Sequence, residues 1–387
     1  MAVGSCVLLA AEGPMAQTHV QAQTHAQAQA QAPVPAWSLE AQSRLRPGGL
    51  DAATFAERQG LLLQGEQALS RMQPSQALDL FDRAALMLHA ADAEVALVRT
   101  HMQAGDYRRA LAFGAHAAGA HRDQPAALAL YAWLLHLGGQ GTAARWQLDQ
   151  ALHGHTASPE LWAQTRRLLE QPWPAKATGG MHLAPYGVAV AGSVQVRVAG
   201  SATLLPGGRV ALAPLALLGS AETVWLRNGL GQLSAAHVVQ GWPQLGLVAL
   251  ALAEPLPFPA DLDLAGTTPF AGSPGTMIEF GSTEVDAPAW PVLRQGFFAR
   301  DGAGPRRPLG LDAPPGPRGG PVFDRAGRWV GLALADASGP ALMVALVDLP
   351  DGLVDVPTAA PAVRGAMPEA EVYERALRMA LQLIVPR

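Results

Sequence analysis

Between Asp51 and Gln171, small and bulky apolar residues recur at helical spacing, and the pattern itself repeats. A small residue, a bulky one and a second small one stand at Ala77, Phe81 and Ala84. They recur at Ala110, Gly114 and Ala117, then at Ala144, Leu148 and Ala151, with offsets of 33 and 34 residues. Gly105 and Gly139 lie five positions before their alanines, Tyr107 lies three before, and Gly65 falls where two helices must approach closely. Ser158-Pro159-Glu160 predicts one more helix, with an N-cap, an N1 proline and an acidic first turn.

After Pro172 the pattern changes to short apolar runs between turn signals: Gly187–Val198, Ala202–Leu205, Val210–Leu218, Thr223–Arg227, Leu245–Leu252, Thr276–Phe280, Val292–Ala299, Pro321–Phe323, Trp329–Leu334 and Leu342–Val347. Residues 172–387 hold 28 of the 41 glycines, which suits turns. Many short strands predict a sandwich or barrel. Pro357 to Pro368 reads as a linker. Glu369 to Val385 then reads as an amphipathic helix, with Val372, Ala376, Met379 and Leu383 on one face and Glu371–Arg375 and Glu374–Arg378 as i,i+4 pairs.

The boundaries that follow are a leader over residues 1–50, helices over 51–171, a linker over 172–186, a β-domain over 187–356, and a linker with a helix over 357–387. The leader alternates Gln and Ala with almost no charge, so it cannot fold alone. Its apolar start at Val7 to Ala11 and the small residues at Met15-Ala16 suit an export signal, giving a periplasmic or otherwise exported protein. If the leader is only a disordered tail, the protein is cytoplasmic.

Composition narrows the classes. Hydrophobic residues make up 49% of 387, enough for a large core, and no apolar stretch is long enough to span a membrane. Basic and acidic residues number 27 and 31, which argues against nucleic acid as a partner. One cysteine, Cys6, excludes a disulfide framework and thiolate metal clusters. His89, His101, His116, His121, His136, His153 and His155 read as scattered surface residues; His153-x-His155 lacks a third ligand at helical spacing, so no metal site is expected. No cofactor fingerprint is present either, and none is expected.

The helical pattern resembles the tetratricopeptide repeat, departing from it where Gly114 replaces a bulky residue and where the prolines drift to Pro125 and Pro159. That resemblance implies a stack whose concave face takes a protein or peptide, or a helical spacer. In the second half, Gly316-Pro317-Arg318-Gly319-Gly320-Pro321-Val322-Phe323-Asp324 with Gly327-Arg328-Trp329-Val330-Gly331 is similar to the nucleophile segment of trypsin-like serine proteases of the HtrA type. Gly200 to Leu218 resembles the strand pair ending at that family's histidine, and Trp242 to Leu250 the stretch carrying its aspartate. The fold this implies is helical repeats followed by a trypsin-like double β-barrel, α plus all-β.

Carried over residue by residue, the nucleophile position holds Arg318, the histidine position Leu215 and the aspartate position Gly246. None can act as nucleophile, base or orienter, so the resemblance implies a pseudoprotease that binds or scaffolds proteins or peptides. Leu233-Ser234-Ala235-Ala236-His237-Val238 also spells the family's histidine motif. The alternative is therefore a serine endopeptidase with a rebuilt site, using His237 with Ser234 or Ser282; the preferred reading puts His237 on the barrel surface. Between Arg294 and Arg328 seven arginines face three aspartates, a local charge of +4 in a chain of net charge −4. This segment is read as a cleft gripping carboxylates through Arg306, Arg307 and Arg318, with backbone N–H groups of Gly316 and Arg318, or else as solvated loop arginines. Asp312 is the expected partner of Arg318.

Overall fold

The computed structural model describes residues 50–154, 158–170, 195–281, 283–284, 290–300, 304–311, 318–335, 341–357 and 365–387. The leader and residues 171–194, where the linker and the start of the first expected strand fall, lie outside them.

Among the described residues seven helices come first: α1 Ala52–Ser70, α2 Pro74–Met87, α3 Ala91–Ala104, α4 Tyr107–Ala120, α5 Pro125–Leu137, α6 Gly141–Gly154 and α7 Pro159–Glu170. Asp51 caps α1, accepting from the Ala53 and Thr54 N–H groups at 2.9 and 3.0 Å. Pro125 and Pro159 open α5 and α7, Pro159 as the expected N1 proline, where a missing N–H costs nothing. Ser158 takes φ +60 rather than the extended conformation of the expected N-cap. The recurring residues occupy the buried faces of α2, α4 and α6, and those helices start 33 and 34 residues apart. Gly65 lies flat against the Phe81 ring, where a Cβ would collide, as the close approach of α1 and α2 requires. Two buried ion pairs cross the stack: Arg58 Nη1 donates to Asp92 Oδ2 at 2.8 Å and Arg99 Nη1 to Glu66 Oε1 at 2.8 Å.

Two closed six-stranded antiparallel barrels follow, so helices succeeded by a double β-barrel is the fold. The first contains β1 Val196–Leu204, β2 Val210–Pro214, β3 Thr223–Asn228, β4 Leu233–Trp242 and β5 Leu247–Leu252. The second contains β6 Pro274–Glu279, β8 Val292–Phe298, β9 Arg306–Leu311, β10 Pro321–Asp324, β11 Trp329–Ala335 and β12 Ala341–Ala345; the two-residue β7, Thr283–Glu284, borders β1. Strands β4 and β9 have no counterpart among the expected runs.

The C-terminus departs most from expectation. Helix α8 ends at Met379, and Ala380–Pro386 forms strand β13 rather than a continuing helix. β13 lies between β1 and β3: Leu383 faces Gly200 on one side and Leu226 on the other. Gln382 to Val385 could extend a helix, but β1 and β3 offer two open edges, and tertiary hydrogen bonding outweighs local periodicity. The β-domain therefore includes the last residues of the described chain.

Helix α8 (Glu369–Met379) joins the layers. Arg108, on α4, donates from its backbone N–H and Nε to Glu374 at 2.8 and 2.9 Å, so Glu374 serves this contact rather than the expected Arg378. The Glu371–Arg375 pair forms as expected, at 3.1 Å. Tyr107 and Tyr373 pack with ring centroids 4.5 Å apart; their hydroxyls donate to Leu134 O at 2.8 Å and Pro291 O at 2.6 Å. Burial pushes both phenols up. No described helix is long and apolar enough to cross a membrane.

Leu383 is fully buried between two strands. Leu383→Ala is expected to cost about 2–5 kcal/mol of unfolding free energy, measured by urea denaturation, whereas Leu86→Ala, at a position 88% exposed, leaves the midpoint unchanged.

Candidate functional site

Local turns deliver Leu215, Gly246 and Arg318, the three positions singled out by the sequence resemblance, to one seam between the barrels. β2 ends at Pro214 and turns into a short 3-10 segment, Leu215–Leu217. The Leu215 N–H donates to the Gly246 carbonyl at 2.8 Å, joining the first two positions. Gly246 closes the β4–β5 turn with φ +70, a conformation that disfavours any L side chain. From the second barrel, Gly319 presses onto β1 and the end of β2: a Cβ there would collide with Ser201 O and meet Pro214 Cδ at 2.8 Å. Thr203 Oγ1 donates to Gly319 O at 2.8 Å. Leu215, Gly246 and the Arg318-Gly319 step therefore converge.

The Arg318 side chain does not enter this seam as a ligand-gripping group. It is 5% exposed, and its Nη1 donates to the buried Glu279 carboxylate. Arg294 Nε donates to the same Glu279 oxygen at 2.7 Å. Glu279, at the end of β6, is a described partner of Arg318; Asp312, the expected partner, and Gly316 lie outside the described residues. Arg307 is likewise engaged, its Nε donating to Asp348 Oδ2 at 3.1 Å. This corrects the expectation that Arg318 and Arg307 line a carboxylate-gripping cleft: each is held by an internal carboxylate.

Arg306 differs. Its Nη2 lies 2.8 Å from where a Gly246 Cβ would stand and 3.5 Å from Pro243 O. Its Nε is buried without a hydrogen-bond partner. A guanidinium therefore covers Gly246. Arg306 is the member of the expected set that the seam brings together with Leu215 and Gly246.

Nearby hydroxyls are engaged structurally. Ser201 Oγ, fully buried, accepts from the Phe280 N–H at 2.6 Å and donates to Phe280 O at 3.1 Å. Ser234 and His237 stand three apart on β4, which puts them on opposite faces. Ser234 is buried and its hydroxyl accepts from the Glu254 N–H at 3.0 Å, while His237 is exposed, so strand geometry does not pair them. Ser282 lies outside the described residues.

The histidines are not scattered. His136 stacks on Trp133 at 5.5 Å, and its pKa is pushed down to about 4 by burial, then by Arg294 and Arg145. His89, His116 and His121 converge on Glu94, with distances to its carboxylate oxygens of 2.6, 3.4 and 3.2 Å. Intervals of five residues, His89–Glu94 and His116–His121, hid this group from a search at helical spacing. What the sequence did offer was their clustering within residues 89–121.

No protein-family model and no curated protein matches the chain. Among solved structures it is similar to the HtrA-type protease AlgW with a decapeptide, at 16% identity and TM-score 0.32, over 38% of this chain and 47% of that one. It is also similar to the MamO protease domain from Magnetospirillum magneticum in its apo form, at 20% identity and TM-score 0.30, over 41% of this chain and 87% of that one. The match spans just under half the length of the AlgW chain.

Glu279→Ala leaves two buried guanidiniums without their shared carboxylate and is expected to cost about 3–5 kcal/mol in chemical denaturation. His136 gives a pH signature. Its folded pKa of about 4 lies below the ordinary 6.5, so the unfolded chain binds more protons between those values. Its contribution is present above 6.5 and lost as pH falls towards 4, a change on the order of 3 kcal/mol. His136→Phe should flatten the stability–pH curve over that window relative to the parent.

Proposed function

We propose that the chain is a non-catalytic, protease-like protein whose double barrel and helical layer bind a protein or peptide. The observation that carries this reading is the chemistry at the seam: an aliphatic side chain, a glycine under the Arg306 guanidinium, and Arg318 drawn to Glu279. Peptide-bond hydrolysis of the triad type needs a nucleophile, a base within hydrogen-bond reach and a group that orients the base. Leu215, Gly246 and Arg318 supply none of them. Losing even one such member lowers the rate by orders of magnitude.

The seam suits recognition better. Arg306 offers a planar, permanently charged fork whose exposed Nη2 makes only a 3.5 Å contact with Pro243 O among the described residues, leaving that end for a carboxylate. The ligand class that follows is a peptide carboxylate, either a C-terminus or an acidic side chain. The helical layer adds a second surface for the same partner.

The decisive experiment is an activity comparison. The purified parent, Arg318→Ala and His237→Ala should all fail to cleave casein above background and fail to react with a fluorophosphonate probe. Cleavage by the parent that disappears in His237→Ala would establish the rebuilt-site endopeptidase instead. A library of acidic peptides, screened by fluorescence polarisation, should yield a ligand whose affinity falls about tenfold or more in Arg306→Ala, the loss of one charge-assisted contact.

A further inference from the structure

The carboxylate of Glu94 is buried, with 3% of its side chain exposed, yet no arginine or lysine among the described residues contacts it. Three imidazoles surround it instead. His89 comes from the α2–α3 connection, His116 from α4, and His121 from the residue that ends α4. Their Nε2 atoms lie 2.6 and 3.4 Å from Oε1 and 3.2 Å from Oε2, in that order. The donor atoms of His89, Glu94 and His116 all fall within 4.8 Å of one another. Glu94 Oε2 and His121 Nε2 are both buried and make no hydrogen bond, despite their closeness.

That arrangement is poor as a hydrogen-bond network. No permanent cation among the described residues balances the buried carboxylate, and Glu94 Oε2 and His121 Nε2 remain unsatisfied. As a set of metal donors it is nearly complete. A tetrahedral ion with bonds of about 2.0–2.2 Å places its ligand atoms about 3.3 Å apart, close to the distances observed around Glu94. Two nitrogens, one carboxylate and no thiolate favour a borderline divalent ion over calcium or magnesium, which prefer oxygen. Three protein donors leave the fourth tetrahedral position to water. His89 and His116 are more than half exposed, so an ion can reach the pocket from solvent.

We propose that His89, Glu94 and His116 form a Zn2+ site, with His121 beside the carboxylate, that clips the α2–α3 connection to α4. The ion would compensate the buried carboxylate and hold three consecutive helices at one edge of the stack. The site is independent of the barrel seam.

The test uses the full-length chain, stripped with EDTA and desalted. Competition with a chromophoric chelator should show one tightly bound Zn2+, and Co2+ should give the strong visible bands of four-coordinate geometry. His89→Ala and His116→Ala, at exposed positions that the fold tolerates, should weaken Zn2+ by roughly 10- to 100-fold or more and abolish the bands. His153→Ala, outside the cluster, should leave both unchanged. Zn2+ should also raise the Tm of the parent and not of His116→Ala. Binding that is equally tight in the cluster variants would overturn the site. So would a Tm that responds to acid but not to Zn2+, because the group would then be a proton-linked ion pair.

Discussion

A six-stranded barrel is stable against unsatisfied edges only if its last strand meets its first. In the first barrel that closure depends on the end of the chain. β13 hydrogen-bonds to β1 on one side and β3 on the other, so five strands formed early in the sequence wait for residues 380–386. The strand is delivered by α8, which is itself anchored on α4 through Glu374 and Tyr373 and on the second barrel through Pro291. Barrel closure, helical layer and second barrel are thereby coupled. Because the pairing joins residues nearly 200 positions apart, its loop-closure cost falls on folding more than on final stability.

The seam between the barrels is held by polar groups that face each other across it. Ser201 and Thr203 on β1 satisfy backbone groups of Phe280 and Gly319 in the second barrel. The glycine at 319 is needed because β1 runs through the space a side chain would occupy. Such contacts fix the relative placement of the barrels whether or not chemistry occurs between them. The shape of the seam therefore rests on these backbone contacts and not on the side chains of Leu215, Gly246 and Arg318.

The sequence made the seam legible because its markers are backbone requirements: glycines at 246, 319 and 320, and turns at fixed offsets from apolar runs. The helices were legible for a similar reason, since burial of Ala77, Phe81 and Ala84 and their counterparts enforces a regular period. What escaped was set by tertiary context. β9 reads Arg-Arg-Pro-Leu-Gly-Leu, with no alternation to mark it, and pairs because β8 and β12 flank it. β13 has a helical neighbour and an apolar run that suits either state. The partner of Arg318 could not be read locally, since Glu279 lies 39 residues away on another strand. The histidine group escaped because its members sit at helix ends, where intervals of five bring side chains together.

Arginine usage explains why a local charge of +4 does not make a basic surface. The chain has 27 basic residues and only one lysine, Lys176, so arginine supplies its internal cross-links as well as its surface charge. Arg58 and Arg99 cross the helical stack in buried pairs. Within the arginine-rich window, Arg294 and Arg318 share Glu279, Arg307 meets Asp348 and Arg328 meets Asp324. Two of those carboxylates, Glu279 and Asp348, lie outside the window that was summed, so counting charges along the sequence overstated the field. A guanidinium suits this duty because its fork can engage a carboxylate while its stem packs against apolar neighbours. Arg306 stands apart because its nearest groups are the backbone of the Pro243–Gly246 turn rather than an acid. A carboxylate ligand at that point would therefore complete a pattern the rest of the molecule already uses.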